Sequence, residues 1–175
     1  PNVGSFGVDI FFVLSGFVMA LITAHDANPR RFITHRMARI VPLYWAATLV
    51  VWVLACTFPG LLNATEADPD HLLRSLFFIP YFKENGALHP VLPVGWTLNY
   101  EMLFYAVVAG VLWRFPTQKI PVILGALLLL YAAGLMAAKE SVVEAFFSTV
   151  LLLEFGLGML LYTVYARGNL RGNPA

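Results

Sequence analysis

Five stretches of mostly apolar residues, each close to the length of a membrane-spanning helix, constrain this chain more than any other feature. They are Phe6–Thr23, Val41–Phe58, Trp96–Phe115, Ile120–Ala138 and Ala145–Ala166. A helix rises about 1.5 Å per residue and the hydrocarbon core of a bilayer is about 30 Å thick, so about 20 apolar residues cross it. The stretches predict an all-α, polytopic bundle of about five transmembrane helices, with lipid as the outer solvent. Composition agrees. Only 12% of the 175 residues are charged, against about a quarter in a soluble domain. That little charge cannot clothe a water-soluble surface, which excludes a disordered chain and a typical cytosolic enzyme. A net charge of +1 argues against a nucleic-acid partner. The single cysteine, Cys56, excludes a disulfide framework and a cysteine-based zinc site. No histidine has ligand spacing to another, so no metal is expected.

Residues 1–175 read as a single membrane-embedded domain. Both ends abut apolar sequence, which suggests a piece of a longer protein. With alternating spans and Pro1 outside, the inner loops carry Arg30, Arg31, Arg36, Arg39, Arg114, Lys119, Arg167 and Arg171. The outer loops carry Arg74, Lys83 and Lys139, with Glu66, Asp68, Asp70, Glu84, Glu140 and Glu144. Every inner loop is then net positive, so the expected orientation has Pro1 extracytoplasmic and the C-terminal end cytoplasmic. Between the second and third spans, the apolar patch Leu72–Phe82 is too short to cross and reads as interfacial or re-entrant. Tyr44, Trp45, Trp96 and Trp113 sit near span ends, where headgroup anchoring is the simplest reading.

Ionisable groups inside spans are costly against lipid and normally face the bundle interior. Asp9, Glu101 and Glu154 are three such groups. Asp9 fits either a helix-end interaction with the macrodipole or a functional role. Thr97, Glu101 and Tyr105 share one face at i, i+4, i+8, as a structural hydrogen-bond network or a site. Glu154 is flanked by Gly156 and Gly158, which permit close helix approach, so a structural role is expected there. Ser15-Gly16 likewise reads as small residues for helix packing. In the first inner loop, a helical Arg31–Arg39 would put Arg31, His35 and Arg39 on one face. Arg36 and Arg39 could then grip one anion, or simply anchor the loop to anionic lipid. Pro42 is tolerable in the first turn of the second span.

Three segments carry a resemblance. Gly4-Ser-Phe-Gly-Val-Asp-Ile-Phe-Phe-Val-Leu-Ser-Gly-Phe17 resembles the signature span of the membrane acyltransferase 3 family. Arg36-Met-Ala-Arg39-Ile-Val-Pro42-Leu-Tyr44 is similar to its R-x-x-R-I-x-P-x-Y segment. Val94-Gly-Trp-Thr-Leu-Asn-Tyr-Glu-Met-Leu-Phe-Tyr105 looks like its W-[ST]-L-x-x-E-x-x-F-Y segment, especially in the exopolysaccharide-modifying branch. The resemblance covers about the first two thirds of the chain. It implies an O-acyltransferase of the bacterial inner (cytoplasmic) membrane. Acyl-CoA, most simply acetyl-CoA, is the implied donor substrate, with no permanently bound cofactor. The implied acceptor is a saccharide hydroxyl of a surface polysaccharide or its lipid-linked precursor. By analogy Arg36 and Arg39 would hold phosphates of the donor. Glu101 is the catalytic candidate, while Asp9, Trp96 and Tyr105 are candidates for substrate contact. The family's proposed general-base histidine belongs to a helix ahead of Pro1, so neither His25 nor His35 takes its role. A transporter or flippase of a polar or lipid-linked solute is the alternative that the intramembrane acids would also suit.

Overall fold

The computed structural model describes residues 3–58, 68–83, 86 and 88–172. Glu66 and Glu84 of the outer loop, and the Pro1 terminus, lie outside them. The described residues form seven α-helices: α1 (Val3–His25), α2 (Pro29–Thr57), α3 (Pro69–Leu76), α4 (Trp96–Arg114), α5 (Lys119–Met136), α6 (Val142–Phe147) and α7 (Leu151–Gly172). The all-α expectation holds. Four helical runs are long and apolar enough to cross a membrane: Phe6–His25, Pro29–Thr57, Lys119–Met136 and Val142–Gly168. The fifth expected span is present as α4, which is less apolar because it carries Asn99 and Glu101 and also buries the most side chains of any element. Shielded by its neighbours, α4 keeps these polar groups away from lipid. By contrast α5 turns Leu128, Leu129 and Leu135 outward, as a lipid-facing helix should.

The largest departure from expectation is α2. It begins twelve residues before Val41, at Pro29, because Asn28 caps it: the Asn28 side chain accepts the Arg31 N–H at 3.1 Å. Proline at the first helical position needs no N–H partner. Pro42 therefore lies inside the helix rather than in its first turn. The last expected span is divided. Ser141 caps α6 by accepting the Glu144 N–H at 3.1 Å, and α7 restarts at Leu151 after a short break.

Helices α1 and α7 pack in parallel. Val13 meets Gly158, and Phe17 meets Tyr162 with ring centroids 5.6 Å apart. Each pair differs by 145 in sequence, so the two helices run the same way in a fixed register. A Cβ on Gly158 would run into the Val13 carbonyl oxygen, and one on Gly16 into that of Phe155. The glycines are what let the two backbones touch. Parallel packing also suits alternating crossings, in which the first and last spans share a direction.

The outer segment folds back into the bundle. Asp68 caps α3 by accepting the Asp70 N–H at 2.9 Å. The helix ends in a Schellman motif: Ile79 N–H donates to Arg74 O at 2.8 Å and Phe78 N–H to Ser75 O at 3.0 Å. The left-handed position, normally glycine, is Phe78 at φ 57°. Its ring stacks on Tyr44 with centroids 4.7 Å apart, and Trp45 Nε1–H donates to Leu76 O at 2.9 Å. Tyr44 and Trp45 therefore lie mid-helix and clasp the returning segment, rather than anchoring a span end. The patch expected to be interfacial or re-entrant is thus packed against the middle of α2.

Candidate functional site

Five expected or overlooked side chains, Ser15, Arg36, Arg39, Glu101 and Tyr105, converge where α1, α2 and α4 meet. Glu101 is 8% exposed. Its Oε1 accepts hydrogen bonds from Tyr105 Oη at 3.2 Å and from Ser15 Oγ at 3.4 Å. The Tyr105 bond follows from helical spacing, since residues four apart sit one turn above each other. Ser15 arrives from α1, oriented by the Gly16 contact with α7. Sequence reasoning treated Ser15 as packing only. Its neighbour Gly16 does the packing, and the hydroxyl serves the carboxylate instead.

The arginine pair lies beside this group. Arg36, Arg39, Ile40, Glu101 and Tyr105, with Ser15 and the α1 residues Phe11, Leu14, Val18 and Met19, line one cavity of about 240 Å³. The Arg36 guanidinium stands 5.9 Å from the ring centroid of Phe32 and 5.9 Å from that of Tyr105. Two aromatic faces thus hold one cation. Arg39 is exposed at the cavity edge. The pair was expected on an inner loop, but the early start of α2 carries it into the helix. At 1.5 Å per residue, Arg36 and Arg39 stand about 10 and 15 Å from Pro29, Ser15 about 15 Å from His25, and Glu101 about 20 Å from Arg114. His25, Pro29, Arg114 and Lys119 share one end of the bundle. There the Lys119 ammonium donates to Thr23 O and Arg30 lies 5.6 Å from the Trp113 ring centroid. The site therefore lies about 10–20 Å along the helices from that end.

Not every candidate joins it. Trp96 packs edge-on against Tyr100 at 6.1 Å, and Thr97 Oγ1–H donates to Val94 O at 3.2 Å. Neither lines the cavity. Asp9 sits in the second turn of α1, opposite Glu154 and away from Glu101. A larger cavity, about 890 Å³, lies on the far side of the α2–α4 pair. Its walls are apolar apart from Asn99, so it offers no set of groups for chemistry.

A buried carboxylate clamped by two hydroxyls, with two guanidiniums beside it, can accept a proton and stabilise an anion at once. Comparison with known proteins shows the family. A family description given as "Acyltransferase domain" matches residues 1–174. The chain belongs to this acyltransferase 3 family. Among curated relatives, the exopolysaccharide production protein ExoZ of Rhizobium meliloti is 42% identical over 171 residues, 95% of this chain and 53% of that protein. A putative membrane-bound transacylase, BcsY, of Komagataeibacter xylinus is 30% identical over 60% of this chain and 30% of its own length. The peptidoglycan O-acetyltransferase OatA of Listeria monocytogenes is 29% identical over 59% of this chain and 19% of its own length. The chain thus spans about half the length of the first relative and less of the others. No solved structure matches it significantly. Apolar helices of spanning length and membership of this family describe an integral membrane protein. Membership favours acyl transfer over the transporter alternative.

Proposed function

We propose that the protein containing this chain transfers an acyl group, acetyl in the simplest case, from acyl-CoA to a hydroxyl of a surface polysaccharide or its lipid-linked precursor. The observation that carries the reading is the Glu101 carboxylate, clamped by Ser15 and Tyr105 in the cavity that Arg36 and Arg39 border. Glu101 takes the proton of the acceptor hydroxyl, directly or relayed through the family's general-base histidine, as the hydroxyl oxygen attacks the thioester carbonyl. Ser15 and Tyr105 fix one carboxylate oxygen and leave Oε2 for that proton. Arg36 and Arg39 supply positive charge to the part of the donor that enters this cavity. Asp9 and Trp96 lie outside that cavity. The loop charges support Pro1 outside and the C-terminal end in the cytoplasm of a bacterial inner membrane, where acyl-CoA is available. The ExoZ likeness supports an exopolysaccharide acceptor.

The test is acyl transfer to polysaccharide by the full-length parent, in cells lacking their own enzyme, with Glu101→Gln beside the wild type. A loss of about a hundredfold or more with normal membrane insertion supports the reading. Normal transfer by Glu101→Gln removes the carboxylate from the mechanism.

A further inference from the structure

Arg36 and Arg39 line the same small cavity as Glu101. We propose that Arg36 and Arg39 act on the thioester carbonyl and its oxyanion, while the phosphates of the donor lie nearer the inner end of α2, on Arg31 and His35. This inference rests on the acyl-CoA reading above.

Size gives the first argument. The cavity shared by Glu101, Arg36 and Arg39 is about 240 Å³, below the range of about 300–1,000 Å³ typical for drug-sized ligands. That volume accommodates the acyl end of a thioester, and the rest of the donor extends beyond it. Length gives the second. The arm between the diphosphate and the sulfur of coenzyme A is about a dozen bonds, roughly 15 Å when extended at ordinary bond lengths. With the thioester beside Glu101, the diphosphate is carried out of the cavity altogether. Arg31 and His35 continue the face of α2 that bears Arg39, about 12 and 6 Å below it. Both are exposed. Arg31 is already held in place by Asp26, at 2.8 Å.

Charge gives the third. One carboxylate faces two guanidiniums across the cavity, which leaves one positive charge in excess. Acyl transfer creates an anion there. The acceptor oxygen forms a bond to the carbonyl carbon, its proton passes to Glu101, and the carbonyl π pair moves onto oxygen. When that oxyanion collapses, the C–S bond breaks and the thiolate takes the proton from Glu101. The products are the ester and free coenzyme thiol. The Arg36 guanidinium, held by the rings of Phe32 and Tyr105, and that of Arg39 at the cavity edge are placed for that transient charge.

The full-length parent is assayed in membranes for two quantities: the affinity for coenzyme A without an acyl group, and kcat with acetyl-CoA. Arg36→Lys and Arg39→Lys keep the charge and so the insertion of α2, but lose the planar fork. They are expected to lower kcat by about tenfold or more each, and the alanine variants by about a hundredfold. Affinity for coenzyme A should change by less than about threefold in all four. The double variant Arg31→Ala/His35→Ala is expected to weaken coenzyme A by about tenfold or more. The reverse pattern, with coenzyme affinity lost at Arg36 and Arg39 and kept at Arg31 and His35, overturns the division. A wild-type parent that neither binds coenzyme A nor uses acetyl-CoA overturns the donor reading itself.

Discussion

Ser15 and Glu101, 86 residues apart in sequence, meet at 3.4 Å across the α1–α4 interface. Tyr105 donates to the same carboxylate oxygen from one turn away on α4. The contact joins two of the segments by which the family is recognised, and the third supplies the arginines facing it. Three separate stretches of sequence thus make one polar centre inside a largely apolar bundle. Such a centre is costly unless its members satisfy one another.

If both hydroxyls act through Glu101, their removal should be non-additive. Ser15→Ala and Tyr105→Phe are each expected to lower kcat by about fivefold to tenfold, with the donor KM little changed. That matches one hydrogen bond to a charged group. In a Glu101→Gln background neither change should cost more than about twofold, because the carboxylate through which they act is gone. Ser15→Thr keeps the hydroxyl and should restore most of the activity. Full additivity in this cycle would mean that Ser15 and Tyr105 serve packing independently of the acid.

Hydropathy made α1, α4 and α5 legible to within a few residues, since their apolar runs coincide with their hydrogen-bonded lengths. It failed for the first turns of α2. The segment from Pro29 to Ile40 carries four arginines and a histidine, and an apolar-run criterion stops at such charge. The signal that could have found it was Asn28-Pro29, a cap followed by a first-turn proline. The misplaced start mattered for function, because it kept Arg36 and Arg39 in a loop and away from Glu101. The α4 stripe was readable from i, i+4 spacing, whereas Ser15 was not. No local pattern tells which way a serine in an apolar helix will point when its partner lies on another helix.

The α1–α7 seam should be intolerant of any side chain at Gly158. The obstacle is the Val13 backbone, which cannot rotate away as a side-chain tip could. Gly158→Ala is expected to destabilise by about 1–3 kcal/mol. Gly125 of α5 has nothing within 4 Å of the corresponding Cβ position. Gly125→Ala should be neutral or stabilising by about 0.5–1 kcal/mol. Thermal unfolding of the detergent-solubilised parent separates the two. Equal effects would disprove the close approach.

Phe78 adopts φ 57° where a helix C-terminus prefers glycine. Stacking on Tyr44 offsets that strain. Phe78→Leu keeps the strain and loses the stack, so it should destabilise by about 1–2 kcal/mol. Phe78→Gly loses the stack but also relieves about 1 kcal/mol of left-handed strain, so it should cost less than leucine. A glycine variant less stable than the leucine variant would mean that burial, not backbone strain, governs this turn.

Orientation is tested at positions outside the buried site. In a background free of Cys56, a cysteine at Lys139 should react with an impermeant thiol reagent in intact cells. A cysteine at Arg30 should react only after permeabilisation. The basis is the excess of basic residues at the end of the bundle that holds Arg30, Arg114 and Lys119. Labelling of position 30 from outside would invert the topology and put the arginine face of α2 on the wrong side for a cytoplasmic donor.

Asp26 provides a check on the phosphate position that leaves the reacting groups untouched. Its carboxyl accepts the Asn28 N–H at 2.9 Å and the Arg31 guanidinium at 2.8 Å. The backbone bond from Asn28, followed by Arg31, holds its pKa below the ordinary 3.8. A carboxyl with a depressed folded-state pKa contributes above its unfolded value and loses that contribution as pH falls through the folded one. Its charge is therefore constant from pH 5 to 8, so any effect of removing it should not vary with pH across that range. If Arg31 receives the donor's phosphates, Asp26 competes for the same guanidinium. Asp26→Asn keeps an oxygen for the Asn28 N–H and removes the competing charge. It should tighten coenzyme A binding by about two- to fivefold, the scale of an exposed ion pair. The gain should vanish when Arg31 is replaced by alanine. Titration of coenzyme A into membranes of the four variants in that cycle decides it. Unchanged or weaker binding by Asp26→Asn would take the phosphates away from Arg31.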